Sequence, residues 1–301
     1  MDLGQLKRLN RRWRWWLWVV MTAAVILGLA ACQPRPPAPP GPLQISVSIA
    51  PQRYFVERVG GEFVMVNVIV PPGAEPHTFE PKPQQLQALS QAKAYLEIGT
   101  EFEAAWLDRM QALNPTMAMV DTTQGIERLP LPGAGVGVAP DPHIWLSPAL
   151  VKLQAQTIYR TLAALDPPHQ AQYQANLAAF LADIDRLDGE IRQALQGVKN
   201  RRFLVFHPSW GYFARDYDLE MITIQVGGQE PSAAELADLI RRAQQANIRV
   251  VFAQPQFSQQ AARTLAQQIG GEVLLIDPLA ADWLDNLRQV AQTFARVLRE
   301  P

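Results

Sequence analysis

The sequence predicts an α/β protein of two lobes, each with a mainly parallel sheet flanked by helices, joined by one long rigid helix. Three observations carry this prediction. Four short β-branched runs alternate with helical patterns between residues 43 and 166, and four more do so after residue 200. Strands that alternate with helices form βαβ units, whose strands run parallel. Between the two sets, Tyr173, Leu177, Phe180, Leu181, Ile184, Leu187, Ile191 and Leu195 make a single apolar stripe at helical spacing. The stripe lasts about 30 residues, roughly 45 Å at 1.5 Å per residue, enough to span a domain.

The elements follow in chain order. Lys7, Arg8, Arg11, Arg12 and Arg14 precede an uncharged apolar run from Leu17 to Ala31. That run is short for a bilayer span, so residues 1–31 are expected to be a signal peptide. It ends in "LAAC", and Cys32 is the single cysteine of the chain. The stretch resembles the lipobox of bacterial lipoproteins, whose cysteine is lipidated, and makes Cys32 the expected anchor. Residues 32–42 include "QPRPPAPPGP", six prolines in ten residues, an extended polyproline tether.

The N-terminal lobe, 43–166, has expected strands in "ISVSIA" (45–50), "VMVNVIV" (64–70), "AYLEIG" (94–99) and "MAMVD" (117–121). Leu86 and Leu89 mark one helix; Phe102, Trp106, Leu107, Met110 and Leu113 mark another. The linking helix is expected over 167–199, with Gly189 its weak point. In the C-terminal lobe, 200–301, the strands are "RFLVF" (202–206), "EMITI" (220–224), "RVVFA" (249–253) and "EVLLI" (272–276). Ser232 and Glu235 have capping-box spacing before Leu236, Leu239 and Ile240. A helix from Trp283 to Leu298 closes the chain. No residue-level repeat relates the halves.

Composition narrows the function. Loss of residues 1–31 removes five basic residues and Asp2 from totals of 27 Lys plus Arg and 28 Asp plus Glu, leaving 22 against 27, or −5. That balance argues against a nucleic-acid partner. With Cys32 lipidated no internal disulfide can form, so stability must come from burial.

The polar residues fall in a pattern. The chain has four histidines. His77 sits in "PPGAEPHTFEP" (71–81), where four prolines and a glycine restrict the backbone. His143 lies in "DPHIWLSP", His207 directly follows "RFLVF", and Asp277 directly follows "EVLLI". Each lies past the carboxyl end of a strand, where open α/β sheets place ligands, and each half supplies two of them. His169 begins the long helix with no strand end behind it, and reads as a solvated first-turn residue. Neutral imidazoles plus one carboxylate make a four-coordinate site suited to zinc.

These motifs resemble those of the metal-binding lipoproteins that serve bacterial zinc and manganese ABC importers, the cluster A-I solute-binding proteins. The resemblance rests on "LAAC", "PPGAEPHTFEPKP", "DPHIWLSP", "FHPSWGYFARDYDL", "GGQEPSAAELADLI" and "DPLA", and covers essentially the whole exported chain. It implies metal bound between two α/β lobes and delivered to a membrane permease and its ATPase. By motif position it implies His77, His143, His207 and Asp277 as metal ligands, with Glu75 an additional candidate. A His-rich acidic loop common in zinc-specific relatives is absent, since that region reads "TTQGIERLPLPGAGVGVAP". The implied protein is a monomeric, non-enzymatic binding protein, lipid-anchored outside the cytoplasmic membrane.

One Zn2+ per chain is expected, with Mn2+ the alternative. The third ligand position is commonly Glu in manganese members and His in zinc members, and here it is His207; imidazole suits zinc, whereas a second carboxylate would favour manganese. A zinc hydrolase would need an open coordination position for water and a general base, and no HExxH signature is present. An adhesin would need a binding patch, and none is visible in the sequence. Histidine ligands predict affinity falling below about pH 6. Trp210, three residues after His207, is a candidate fluorescence reporter.

Overall fold

The computed structural model describes residues 41–132, 140–225, 229 and 231–299. The signal segment and nearly all of the tether, including Cys32, lie outside the described residues. Among the described residues no helix is long and apolar enough to cross a membrane.

Each half contains one four-stranded parallel sheet. In the first, β1 (Leu43–Val47), β2 (Val64–Val68), β3 (Ala94–Glu97) and β4 (Ala118–Asp121) lie in the order β2-β1-β3-β4. In the second, β5 (Arg202–Val205), β6 (Glu220–Thr223), β7 (Val250–Ala253) and β8 (Glu272–Leu275) lie in the order β6-β5-β7-β8. The two orders are the same, so the halves share a topology although no sequence repeat shows it. All eight expected strands are present, mostly shortened at their carboxyl ends.

The helices show where periodicity was weak. The expected strand "ISVSIA" ends at Val47, and Ala50–Gly60 is helix α1. Pro51 sits in its first turn, where a missing N–H costs nothing. The helices α2 (Pro83–Leu89) and α3 (Glu101–Leu113) match their apolar markers. Helix α4 (Pro148–Leu165) was not anticipated; Ser147 caps it by accepting the Leu150 N–H. The long helix α5 runs Gln170–Ala194, 25 residues, with 167–169 a separate 3-10 turn, so its regular part is shorter than the 167–199 expectation. Gly189 lies within it unbroken. The C-terminal half adds α6 (Gly211–Asp216), α7 (Ala233–Gln245), α8 (Gln260–Gln268) and α9 (Trp283–Arg299). In α7 the Ser232–Glu235 capping box is formed as expected.

One buried core crosses from one half to the other, and a second, around Leu204, Val251 and Leu265, lies within the C-terminal half. The inward stripe of α5 buries Tyr173, Phe180, Ile184, Leu187 and Ile191 against α1, α4 and α9. Trp283, at the start of α9, meets Phe55 of α1 edge-on at 5.2 Å and Phe180 at 6.4 Å. Its indole N–H donates to the Trp145 carbonyl at 2.6 Å, while the Trp145 indole donates to the Pro278 carbonyl at 2.7 Å. Fully buried aromatic side chains of this size cost about 3–5 kcal/mol to truncate. The carboxyl ends of both sheets are therefore held together by packing as well as by the long helix.

Candidate metal centre

Three of the four histidines converge. Among the described residues, His77, His143 and His207 form a group whose ligand atoms all lie within 4.8 Å of one another. Nε2 of His207 is 3.1 Å from Nε2 of His77 and 3.3 Å from Nε2 of His143.

Each imidazole is oriented from its far side. His77 Nδ1 donates to Glu101 Oε2 at 2.5 Å, His143 Nδ1 to Asp141 Oδ1 at 2.7 Å, and His207 Nδ1 to Gln225 Oε1 at 2.8 Å. Carboxylates accept only, so in His77 and His143 Nδ1 carries the hydrogen and Nε2 presents its lone pair; with the Gln225 amide oxygen facing Nδ1, His207 takes the same tautomer. Three lone pairs facing one another repel unless a cation lies between them. Ligand atoms about 2.0–2.1 Å from zinc at tetrahedral angles would stand roughly 3.3 Å apart, close to the separations found.

The local chain explains each placement. After β2, Ile69 and Val70 still pair with β1 before Pro71 turns the chain, and Gly73 takes φ +81. Glu75 then folds back: its carboxylate accepts the N–H groups of His77 and Thr78 at 2.8 and 3.0 Å. Its Oε1 is 3.9 Å from His77 Nε2, outside the three-histidine group. Asp141 accepts the His143 N–H at 2.9 Å as well as its ring hydrogen, locking that residue before α4 begins. Tyr212 of α6 donates to the Asp141 carbonyl at 2.8 Å, and the lack of a side chain at Gly211 keeps clear the space beside the Asp141 carboxylate, where a Cβ would come within 3.0 Å. Gln254 accepts the His207 N–H and donates to its carbonyl.

Asp277 is placed differently. Its Oδ1 accepts from Gln256 Nε2 at 2.7 Å and from the Leu279 N–H at 2.8 Å. Among the described residues it is not part of the three-histidine group. His169 bonds Asp166 and stacks on Phe63 at 3.9 Å, so it is a packed residue rather than a freely solvated one, and it is no part of the site.

The cavity between the imidazoles is small, about 10 Å³, lined by the three histidines with Pro76, Thr100, Trp145, Gln256, Phe257, Pro278 and Leu279. Phe257 stacks on His207 at 4.6 Å, and the Trp145 ring is 5.1 Å from His143. Trp210 is fully buried against Phe213 and Phe294 and does not line this cavity, so Trp145 is the tryptophan beside the site.

The electrostatics are uneven. Burial disfavours charge on His77, but the hydrogen bond and charge of Glu101, with Glu75 and Asp141, outweigh it and raise its pKa above 6.5. Burial, reinforced by repulsion from His143 and His77, pushes His207 well below 6.5. Burial would raise Glu101, yet its bond to His77 leaves it below the usual carboxylate value.

Two α/β lobes with three convergent imidazoles that could hold a divalent ion define the class, a two-lobed metal-binding protein. The model of the family described as "Zinc-uptake complex component A periplasmic", ZnuA, matches residues 45–297, and the chain belongs to that family. It is 31% identical over 248 residues to a putative metal-binding protein of Treponema pallidum, covering 77% of this chain and 78% of that one. To the high-affinity zinc uptake system protein ZnuA of Bacillus subtilis it is 26% identical over 251 residues, 79% and 78% covered. A crystal structure of ZnuA matches with TM-score 0.82 at 53% identity, covering 85% of this chain and 99% of that one. A ZnuA deletion mutant with zinc bound matches with TM-score 0.83 at the same identity, over 86% and 99%.

Proposed function

We propose that the chain captures one Zn2+ in the interlobe cavity through Nε2 of His77, His143 and His207, and delivers it to the permease and ATPase of an ABC importer. The observation that carries this reading is the convergence of three Nε2 lone pairs, each fixed by an acceptor at Nδ1. Such a site binds a borderline-soft ion; manganese prefers anionic oxygens, and none joins the three imidazoles. The Asp277 carboxylate is held by Gln256, and that of Glu75 by the N–H groups of the first loop, so neither is counted among the three imidazole donors. The cargo reading over a hydrolytic one is supported by volume: about 10 Å³ admits an ion, whereas organic substrates occupy pockets of roughly 300–1,000 Å³.

The protein works as a monomer outside the cytoplasmic membrane, held by lipid on Cys32. A lipoprotein of the same kind, AdcA of Streptococcus pneumoniae, is 26% identical over 276 residues, although this chain spans only 54% of its length. A multiply acylated cysteine holds firmly where one chain does not. Cys32→Ser should shift the protein from the membrane fraction to the soluble one; retention after a salt wash would contradict the anchor. Cells relying on a His143→Ala copy should lose high-affinity uptake of labelled zinc, and unchanged uptake would contradict the cargo reading.

A further inference from the structure

A second cavity, of about 290 Å³, lies at the opposite edge of the C-terminal sheet. Its wall takes residues from the starts of β5, β7 and β8 and from the last turn of α9, so it stands at the amino ends of strands whose carboxyl side carries His207. Arg202 opens β5 and His207 follows its end, roughly 15 Å apart along an extended chain, so this cavity is separate from the imidazoles. Three arginines, Arg202, Arg249 and Arg296, line it against a single carboxylate, Glu272.

Two of these guanidinium groups stand apart. Every other arginine among the described residues has an ion pair, a hydrogen bond or an aromatic face, whereas Arg249 and Arg296 have none there. Arg202 spends its Nε on Glu220 and keeps its terminal nitrogens for another acceptor. The backbones beneath are fixed. The Arg249 carbonyl accepts the Glu272 N–H at 2.9 Å, and Gly271 packs so closely on it that a Cβ there would come within 1.9 Å. Asn200 donates its N–H to the Leu298 carbonyl at 3.2 Å, which ties the end of α9 to the start of β5. Guanidinium groups hold phosphoryl oxygens through planar arrays of N–H donors, a geometry that a point charge lacks. The volume is near the lower bound of small-molecule sites, roughly 300–1,000 Å³, which suits a small ester or a headgroup better than a bare ion. We propose that this cavity binds a phosphoryl group through Arg249 and Arg296, with Arg202 as a third donor. A free phosphate ester and a lipid headgroup share this chemistry.

The test uses the exported chain, residues 32–301, with Cys32→Ser so that no lipid is attached. It is run at about 0.15 M salt, where a Debye length of about 8 Å screens diffuse attraction. One arm titrates glycerol phosphate and follows heat; the other offers phosphatidylglycerol vesicles and follows flotation, with phosphatidylcholine vesicles as the neutral comparison. The otherwise unchanged chain should saturate in at least one arm. Response to glycerol phosphate alone identifies a free ester, and retention on phosphatidylglycerol but not phosphatidylcholine identifies a headgroup. Both side chains are exposed, so Arg249→Gln and Arg296→Gln leave the core intact. Each should weaken binding roughly 10–100-fold, the scale of charge-assisted hydrogen bonds. Arg263→Gln, which removes a guanidinium held by Gln259 on α8, should bind as before. Absence of saturable binding in both arms overturns the proposal. So does undiminished binding by either cavity variant, or an equal loss in Arg263→Gln.

Discussion

The lobes share one strand order, yet two of their histidines, His207 and His77, are presented in opposite ways. His207 stands immediately past β5, 5% exposed, with neutral glutamines on its ring and backbone and a phenylalanine across its face. His77 comes from a loop after β2, its side chain 18% exposed, and its ring is held by a carboxylate. Burial and the neighbouring rings push the His207 pKa well down, whereas the carboxylates around His77 raise its pKa. His207, with the equally buried His143, thus supplies a fixed wall, and the loop carrying His77 supplies the group at which proton and metal compete.

The largest expected effect comes from breaking the wall. Zinc affinities of fully protein-ligated sites correspond to about 10–16 kcal/mol, so losing one of three imidazoles should weaken binding roughly a thousandfold or more. His207→Ala should show this by chelator competition, and His207→Glu should bind manganese better relative to zinc than the wild type does. An equal Zn-to-Mn preference in wild type and His207→Glu would contradict the role given to that imidazole.

The second layer sharpens the comparison. Asp141→Asn and Glu101→Gln should each weaken zinc binding about 10–100-fold at neutral pH. Glu101→Gln carries an additional signature. In the wild type the raised His77 pKa means that affinity begins to fall above pH 6.5 as pH decreases, while His207 stays neutral far below. Removing the Glu101 charge lowers the His77 pKa, so the fall should move to lower pH. Titrations at several pH values check both, and an unshifted midpoint in Glu101→Gln would remove His77 as the proton competitor. Without metal, the His77 shift acts on stability with the opposite trend: its contribution is fully present below the unfolded pKa near 6.5 and is lost as pH rises through the folded value.

The smallest effect is optical. Trp145 lies 5.1 Å from His143, whereas Trp210 lies away in the C-terminal core. Zinc should therefore change emission in the wild type and in Trp210→Phe, and the change should vanish in Trp145→Phe.

The sequence makes the three ligand histidines legible because parallel strands deliver side chains at their carboxyl ends, and strand ends can be read from β-branched runs. The same rule reaches further than titratable residues: Gln225 directly follows the run ending at Ile224, and Gln254 the run ending at Ala253, and both hold His207. Asp141 was also within reach, since an aspartate two residues before His143 can accept its N–H in a local turn. Glu101 was not, because it meets His77 only through the packing of α3 beside a loop 24 residues earlier. The place of Asp277 was equally hidden. It lies just past β8, as the β-branched run predicts, but its bond from Gln256, which comes from the loop after the neighbouring strand, depends on the sheet order and is not written in the local sequence. Helix α4 was obscured by the continuity of its apolar residues with the Pro-rich stretch before it, and α1 by β-branched residues that lead into it without a break.

The central claim is that three converging imidazoles hold the cargo. The direct measurement is zinc stoichiometry and affinity, by chelator competition at pH 7.5, for the wild type beside a variant with His77, His143 and His207 all changed to Ala. The account predicts one tightly bound zinc per wild-type chain, taken in preference to manganese offered equally, and none in the triple variant. A triple variant that still binds one zinc with wild-type affinity would contradict it, as would a wild type that selects manganese.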